Sequence, residues 1–134
     1  MVHFRRDFDS MVEYLAGYER VIEIGIGYRT DLAQALAEQG VSVTATDVYD
    51  RDVPSVVQFV HDDVVDPDSS IYADADAVYA RNLPPELHRP ALAVARDADA
   101  DFLFTTLGGD QPSIPVERKT IRTGTLYVTR ARRK

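Results

Sequence analysis

Apolar positions in the first third of the chain predict a strand, a glycine turn and a helix in direct succession. Residues 21–24 are mostly β-branched, which is typical of a short buried strand. Gly25 and Gly27 follow, separated by Ile26, and glycines allow the backbone to turn sharply and to approach a ligand closely. Apolar residues then share one face of a predicted helix, namely Leu32, Ala35 and Leu36. A helix that begins at such a turn presents free N–H groups, so this segment predicts a site for a phosphate or a nucleotide.

The other apolar patterns predict alternating helices and strands. A leading helix is expected to carry Phe4, Phe8, Met11, Val12 and Leu15, with Gly17 as its stop. The helix after the glycine turn is expected over residues 30–39, with Thr30 or Asp31 as its N-cap and Gly40 as its stop. Further elements are expected as strands over residues 41–47, 55–60, 75–80 and 101–107, a helix over 87–98, and a hairpin of 116–121 and 125–129. This order predicts one α/β domain over residues 1–134, a three-layer Rossmann-like fold whose mostly parallel sheet is flanked by helices and ends in a C-terminal β-hairpin.

The glycine turn can be compared with two kinds of nucleotide turn. The dinucleotide pattern is G-x-G-x-x-G, and Thr30 stands at its third glycine position. Turns that bind S-adenosylmethionine (SAM) place an acid two residues before the first glycine, and Glu23 has that spacing from Gly25 and Gly27. A buried acid is costly without a partner, so Glu23 indicates either a polar ligand or an interaction with backbone amides of the turn. Gly27 is expected to be required either for a positive φ or for the absence of a Cβ atom.

Acidic residues follow the second and third predicted strands. Asp47 lies 22 positions beyond Gly25, where nucleotide folds place the acid that binds ribose hydroxyls, and Val48 comes next in that loop. Asp62 and Asp63 follow the third strand, which is the usual place for a contact with an adenine amino group. The alternative for each is a solvated loop carboxylate, because the chain contains 16 Asp residues.

The loop after the fourth predicted strand has the sequence Arg81-Asn82-Leu83-Pro84-Pro85-Glu86-Leu87. Ligands of open α/β sheets bind at the carboxyl ends of the strands, so Arg81 and Asn82 are expected at the site, and a target molecule is expected near them and Gly108-Gly109. Amino-methyltransferases carry Asn-Pro-Pro-aromatic at this place. Here Leu83 intervenes and Glu86 replaces the aromatic residue, so no catalytic residue is assigned. The acidic residues at 66 and 68 lack the calcium-loop pattern, and no metal site is predicted.

The charged residues are strongly biased in type. The formal net charge is −7, with 16 Asp against 6 Glu and 13 Arg against 2 Lys. An acidic, Asp-rich and Lys-poor surface is typical of the haloarchaeal cytosol, where dense carboxylates keep a protein hydrated at high salt and repel one another at low salt. The alternative is an ordinary acidic protein.

We expect the melting temperature to rise from low to molar KCl, because salt screens the repulsion among the excess carboxylates. Thermal unfolding followed over a KCl series measures this effect. A melting temperature that is flat or that falls over the series would contradict the prediction of a halophilic protein.

Several kinds of protein and site are excluded or disfavoured. The chain has no cysteine, which excludes disulfides and thiolate metal sites. No apolar run approaches the roughly 20 residues of a membrane-spanning helix, and the segment around Arg5 and Arg6 lacks the apolar core of a signal peptide. We therefore expect a cytoplasmic protein that does not contact membranes. The C-terminal tail is basic and contains Arg130, Arg132, Arg133 and Lys134. We interpret it as a solvated terminus rather than an RNA contact.

The order of elements and the Glu23-Ile24-Gly25-Ile26-Gly27 turn resemble the core of class I SAM-dependent methyltransferases over nearly the whole chain. A closer resemblance is to a small archaeal family of uncharacterised Rossmann-like proteins. That likeness rests on the same turn, on Asp62-Asp63, and on Tyr79-Ala80-Arg81 followed by Pro84-Pro85-Glu86-Leu87. The resemblance implies the fold and a cofactor pocket but no reaction. It departs from full methyltransferases in the missing third glycine and in the missing segments that hold substrate.

Three hypotheses for the function follow. The first is an enzyme, a minimal SAM-dependent methyltransferase in which Glu23 receives the SAM ammonium, Asp47 binds ribose, and Asp62 or Asp63 contacts adenine. The second is a binding module that holds an adenosyl or other nucleotide ligand without chemistry, as a sensor, a homodimer or a partner subunit. The third is an NAD-binding protein, which Thr30 and the lack of a catalytic group disfavour. The sequence names neither the methyl acceptor nor the oligomeric state.

Overall fold

The computed structural model describes residues 9–122 and 124–132. The predicted helical positions Phe4 and Phe8, and the tail residues Arg133 and Lys134, lie outside these ranges. Within them the first helix, α1, spans Asp9–Leu15. It is followed by α2 at Asp31–Glu38 and α3 at His88–Asp97.

One seven-stranded sheet organises the fold. Its strands are β1 (Arg20–Ile24), β2 (Ser42–Asp47), β3 (Gln58–His61), β4 (Ala77–Ala80), β5 (Asp101–Phe104), β6 (Glu117–Ile121) and β7 (Gly124–Thr129). Their order across the sheet is β3-β2-β1-β4-β5-β7-β6. The first five are parallel, whereas β7 runs antiparallel to both β5 and β6. The predicted α/β class, the mostly parallel sheet and the C-terminal hairpin are confirmed.

Helices cover both faces of the sheet because its central strands are apolar on both sides. Every residue of β4 and β5 is buried, as expected for strands enclosed between two helical layers. On one face α1 and α2 pack against the sheet through Leu15, Leu32 and Leu36. On the other face α3 packs through Leu92 and Val94. The sheet therefore lies between two helical layers, with one hydrophobic core on each of its faces, which gives the predicted three layers.

Three predicted strand boundaries differ from the structure by two residues or more. The third strand begins at Gln58 rather than Ser55, because Val57 N–H bonds Pro54 O at 2.9 Å in a turn that leaves Val56 exposed. The fourth strand begins at Ala77 rather than at residue 75. The fifth ends at Phe104 rather than at residue 107, because Thr105 O accepts the N–H of Leu83 from the neighbouring loop.

The proline loop forms a single 3-10 turn over Pro85–Leu87 before α3 begins. Both prolines thus precede the helix, where their lack of an N–H costs no helical hydrogen bond.

The connections place a topological switch point between β1 and β4. The chain leaves β1 towards β2 and β3, then returns to β4 on the other side of β1. In open α/β sheets, ligands bind in the crevice at the carboxyl ends of the two strands that flank such a point. None of the helices in the described ranges has the length and apolar character needed to cross a bilayer.

Candidate functional site

The glycine turn forms one wall of the crevice at the switch point. Gly25 and Gly27 have φ values of 67° and 58°. This is a left-handed backbone conformation, which residues with a Cβ atom adopt only with strain. Ile26 between them is buried in the core, and its N–H bonds Thr46 O at 3.1 Å. Ile26 therefore offers only its backbone to a ligand. A Cβ at Gly27 would meet no atom within 4 Å, so the turn needs glycine there for its dihedral angle and leaves open space above it.

Asp47 lies at the end of β2, directly beside the glycine turn. Its Oδ2 accepts the N–H of Gly27 at 2.8 Å and its Oδ1 accepts the N–H of Tyr49 at 3.0 Å. Arg51 Nε lies 3.4 Å from Oδ2. Burial alone would raise the pKa of Asp47, but these two N–H groups and the Arg51 charge outweigh burial and lower that pKa. The carboxylate is thus ionised and fixed at the position where a ribose contact was predicted.

Arg51 is sandwiched between two exposed tyrosines. Its guanidinium carbon lies 4.4 Å from the ring centroid of Tyr28 and 5.2 Å from that of Tyr49. These are cation–π distances, and they hold Arg51 close to Asp47. Next to them, the side chain of Val48 is half exposed, and the Val48 carbonyl accepts a hydrogen bond from Nε2 of His61. The loop after β2 is therefore tied to the end of β3.

The two aspartates after β3 hold their own loop. Asp62 Oδ2 accepts the hydroxyl of Tyr72 at 2.7 Å, and its Oδ1 accepts the N–H of Asp68 at 3.0 Å. Asp63 is exposed and accepts the N–H of Val65 at 3.0 Å. Burial, together with Asp62, raises the pKa of Tyr72 well above its ordinary value, so that hydroxyl remains a donor. Both aspartates stand at the carboxyl edge of the sheet, but a ligand at Asp62 would share the carboxylate with Tyr72.

Asp68 likewise accepts the N–H and the hydroxyl of Ser70. It thus caps the short 3-10 turn of Ser69–Ile71. In residues 9–122 and 124–132, no three His, Asp or Glu side chains are grouped as metal ligands would be.

Glu23 is a fully buried acid in the floor of the crevice. Parallel pairing of β1 with β4 places it beside Tyr79, whose hydroxyl donates to Glu23 Oε1 at 2.7 Å. Burial raises the pKa of Glu23 to about 7, although the nearby Arg81 charge and the Tyr79 hydrogen bond act in the opposite direction. Burial and the charge of Glu23 also raise the pKa of Tyr79. At neutral pH this carboxyl group is therefore poised between its two protonation states.

Arg81 joins the end of β4 to the start of α2. Its Nη2 donates to Asp31 Oδ1 at 3.0 Å and to the carbonyl oxygen of Arg29 at 2.9 Å. Burial alone would raise the pKa of Asp31, but its bond to Arg81 and the arginine charge lower it. Thr30 occupies the N-cap position but makes no side-chain cap bond. Asp31 is the first residue of α2 and not its N-cap. Its Oδ1 nevertheless accepts the N–H of the following residue, Leu32.

Asn82 follows in a left-handed conformation. Its φ is 54°, which asparagine tolerates better than most residues. Its N–H donates to Thr105 Oγ1 at 2.9 Å, which ties the loop after β4 to the loop after β5.

The next turn is held by His88, which is fully buried. Its Nε2 donates to Leu83 O and its Nδ1 accepts the N–H of Ser113. His88 therefore has a structural role in joining these loops.

The structure brings Glu23, Gly25, Gly27, Asp47, Arg81 and Asn82 to one edge of the sheet, with Asp62 and Asp63 further along it. A cavity of about 450 Å³ adjoins the crevice on the β4–β5 side. Polar side chains from the loops after β1, β4 and β5 line part of it, namely Arg29, Arg81, Asn82, Thr105 and Thr106.

The sequence profile of the uncharacterised protein family UPF0146 matches residues 6–132. The chain belongs to this family. A UPF0146 protein of Halobacterium salinarum is 51% identical over 122 residues, covering 90% of this chain and 95% of that protein. One from Archaeoglobus fulgidus is 40% identical over 103 residues, covering 75% and 79%. These relatives confirm the predicted membership of an uncharacterised archaeal family with haloarchaeal members.

A solved structure shows the same fold. The RNA methyltransferase from Salinibacter ruber in complex with S-adenosyl-L-homocysteine superposes with a TM-score of 0.62 at 15% sequence identity. The match covers 95% of this chain and 92% of that one. At this identity the likeness concerns the fold, and it confirms that this chain has the predicted Rossmann-like fold, which it shares with that methyltransferase.

Sequence analysis missed four residues that shape the site in this family member. Tyr79 could have been found from strand register, because parallel pairing of β1 and β4 places it beside Glu23. Asp31 was predicted only as a cap, and its partner Arg81 lies 50 residues away. Arg51 and His88 gave no signal, because their contacts depend on how loops fold over the edge of the sheet.

Proposed function

We propose that this protein binds S-adenosylmethionine and S-adenosylhomocysteine (SAH) in the crevice between β1 and β4, and that it acts as a minimal SAM-dependent methyltransferase. The buried carboxyl group of Glu23 beneath the glycine turn carries this proposal. A carboxylate is costly to bury in an apolar strand, and perturbed acids in clefts mark functional sites. The ammonium group of an amino-acid moiety would compensate the charge of Glu23, directly or through water.

The remaining parts of the ligand fit the edge of the sheet in chain order. Asp47 uses one lone pair of each oxygen for Gly27 and Tyr49, and an ionised carboxylate offers about four acceptor sites. The second lone pair of Oδ2 faces Arg51 Nε at 3.4 Å, so the free lone pair of Oδ1 is the one that remains for a ribose hydroxyl. Val48, Asp62 and Asp63 would border the adenine. The open space above Gly27 leaves room for the backbone to contact the ligand.

Methyl transfer from a sulfonium needs little chemistry from the protein. The bond between the methyl carbon and sulfur breaks, sulfur keeps the electron pair, and the acceptor's lone pair forms the new bond. Holding the two reactants in line supplies most of the acceleration. We therefore assign no side chain as a catalytic residue, and propose Arg81 and Asn82 as the border between the cofactor and its acceptor.

A second candidate is a binding module without catalysis, acting as a sensor, a homodimer or a partner subunit. One observation favours it. The described residues that line the cavity beside the crevice include no carboxylate and no imidazole, so an acceptor that must lose a proton would find no general base there. Transfer of a labelled methyl group from SAM to molecules of a haloarchaeal extract separates the two candidates. Transfer supports the enzyme, and tight SAM binding without transfer supports the binding module. An NAD-binding protein is the least supported alternative.

Replacing Asp47 should weaken SAH binding, because the ribose hydroxyls would lose an ionised acceptor. We expect Asp47→Asn to cost roughly 1.5–3 kcal/mol of binding free energy, the scale of a hydrogen bond to a charged group. The amide oxygen can still accept one backbone N–H, so the fold should survive, which a melting curve checks. Isothermal titration calorimetry with SAH measures the loss. Asp50→Asn, an exposed aspartate in the same loop, is the matched control. Equal affinities of the folded Asp47 variant and the wild type would remove Asp47 from the site.

A further inference from the structure

The cavity beside the crevice has an unusual charge for so acidic a chain. Two arginines, Arg29 and Arg81, line it, and no acidic residue is among its described lining residues. The formal charge of the chain is −7. The carboxylate of Asp31 is already bound to Nη2 of Arg81. Glu23 also lies near Arg81, and at neutral pH its buried carboxyl group is only partly ionised. The lining therefore has a local excess of positive charge.

Arg81 carries a buried donor without an acceptor. Its side chain is 8% exposed, and only Nη2 is used for Asp31 and Arg29. Among the described residues, the buried side-chain atoms without a hydrogen-bond partner are Arg81 Nη1 and Arg51 Nε. Arg51 Nε still has Asp47 at 3.4 Å. Arg81 Nη1 forms no ion pair within residues 9–122 and 124–132. Buried polar groups are rarely left unsatisfied in folded proteins, and such an exception calls for a missing partner.

Neutral donors lie near the two arginines. Thr105 and Asn82 line the same cavity. Thr105 Oγ1 accepts the N–H of Asn82 at 2.9 Å, so its own hydroxyl hydrogen remains available to a ligand. Arginine with additional neutral donors is the usual composition of a site for planar carboxylates and for phosphates.

We propose that Arg81, assisted by Arg29, binds a carboxylate or phosphate group in this cavity. The inference rests on the proposed function for the identity of the anion. One source is the amino-acid carboxylate of the adenosyl ligand itself. The other is an anionic group of the methyl acceptor. In both cases Nη1, which is buried in the ligand-free protein, has to turn towards the cavity to donate to the anion.

The first arm of the test compares two ligands that differ only in the carboxylate. SAH and its decarboxylated analogue share the adenosyl group, the thioether and the amine. Calorimetric titrations at one fixed KCl concentration give the affinity ratio of the two, and chloride competes equally with both. If the cofactor is the source, SAH should bind about tenfold or more tightly than the analogue, the effect of a charge-assisted hydrogen bond.

The second arm tests the acceptor as the source. With the protein saturated by SAH, benzoate and phenyl phosphate are titrated against the neutral isostere benzamide, and binding is followed by NMR chemical shifts. If the acceptor carries the anion, the two anions should bind about tenfold more tightly than benzamide. If the cofactor carboxylate already fills the site, none of the three should bind under these conditions.

Variants assign the effect to the arginines. Arg81→Gln should abolish whichever preference for the anion is found, and Arg29→Gln, at an exposed residue, should reduce it. Arg81→Lys keeps the charge but loses the fork, and should retain only part of the preference. Arg89→Gln on α3, exposed and outside the cavity, is the matched control and should leave it unchanged. Each result is the ratio of two affinities measured on the same variant. General damage to the fold lowers both affinities equally and leaves their ratio unchanged.

An anion preference in either arm that depends on Arg81 supports the proposal. Its absence in both arms, or a preference that Arg81→Gln leaves intact, overturns it. The proposed function fails separately. Binding of the decarboxylated analogue without any anion effect would leave the adenosyl site intact and remove the anion site. Benzoate is also titrated against the ligand-free protein, and binding of benzoate there without adenosyl binding would do the reverse.

Discussion

Gly27→Val should abolish SAH binding and also lower the melting temperature of the free protein. The valine side chain would enter the open space above the glycine turn, which we assign to the ligand. The φ of 58° adds a second effect, because a β-branched residue in the left-handed region costs about 2 kcal/mol. For a domain of this size that corresponds to a melting temperature lower by about 5–10 °C. From the sequence alone, the choice between the dihedral angle and the missing Cβ atom as the reason for glycine at this position could not be made.

Two further variants separate strain from blocking of the site. Gly27→Asn should lose binding with a smaller loss of stability, because asparagine tolerates the left-handed region while its side chain still fills the crevice. Gly40→Val is the matched control, since Gly40 has a φ of 93° at the end of α2, away from the crevice. It should be destabilised similarly and bind normally. If Gly27→Asn binds as tightly as the wild type, the turn is architecture and not a ligand site.

The free energy of unfolding should fall as pH rises from about 5 to about 8, because of Glu23. Its pKa is about 7 in the folded protein, raised from an ordinary value of 4.5 by burial. Between these two values the folded state holds a proton that the unfolded state has released. The stabilisation is therefore complete below the unfolded pKa and is lost as pH passes the folded one. The difference amounts to about 3 kcal/mol.

Glu23→Gln isolates this contribution. The amide keeps an oxygen that can accept the Tyr79 hydroxyl but does not titrate, so the variant should lack the fall in stability over this window. The other groups around Glu23, namely Arg81, Arg29, Asp31 and Tyr79, are present in both proteins. Denaturant unfolding of the two proteins at pH 5, 6.5 and 8 measures the difference. Parallel pH profiles for wild type and variant would mean that Glu23 of the folded protein is ionised throughout this range, as it is in the unfolded state.

The same carboxyl group links ligand binding to protons. An ammonium placed beside Glu23 favours its ionised form, so SAH binding at pH 6.5 should release a proton and should strengthen as pH rises to 8. In Glu23→Gln this pH dependence should disappear. Calorimetry in two buffers with different ionisation enthalpies counts the released protons.

The fold could be predicted from the sequence because its signals are local. Runs of β-branched residues, the glycine turn and the proline loop each fix an element without reference to the rest of the chain. The boundaries that failed, at Gln58 and Phe104, were decided by hydrogen bonds between loops, namely Val57 to Pro54 and Leu83 to Thr105. A hydropathy pattern carries no information about such bonds.

The site was predictable only in part, for a related reason. Glu23, Gly27 and Asp47 have a fixed spacing along the chain, and the sheet brings them together. Arg51 reaches Asp47 because Tyr28 and Tyr49 hold its guanidinium between them. The buried pair of Glu23 and Tyr79 depends on the register of β1 and β4. These contacts become visible only when the strands and loops are in place.

Isothermal titration calorimetry in molar KCl with SAM, SAH, NAD and 5′-methylthioadenosine tests the central proposal most directly. We predict saturable binding of SAM and SAH, weaker binding of 5′-methylthioadenosine, which lacks the amino-acid part that Glu23 would receive, and no binding of NAD. Binding of NAD alone, or binding of none of the four ligands by the folded protein, would contradict an adenosyl site built on Glu23, the glycine turn and Asp47.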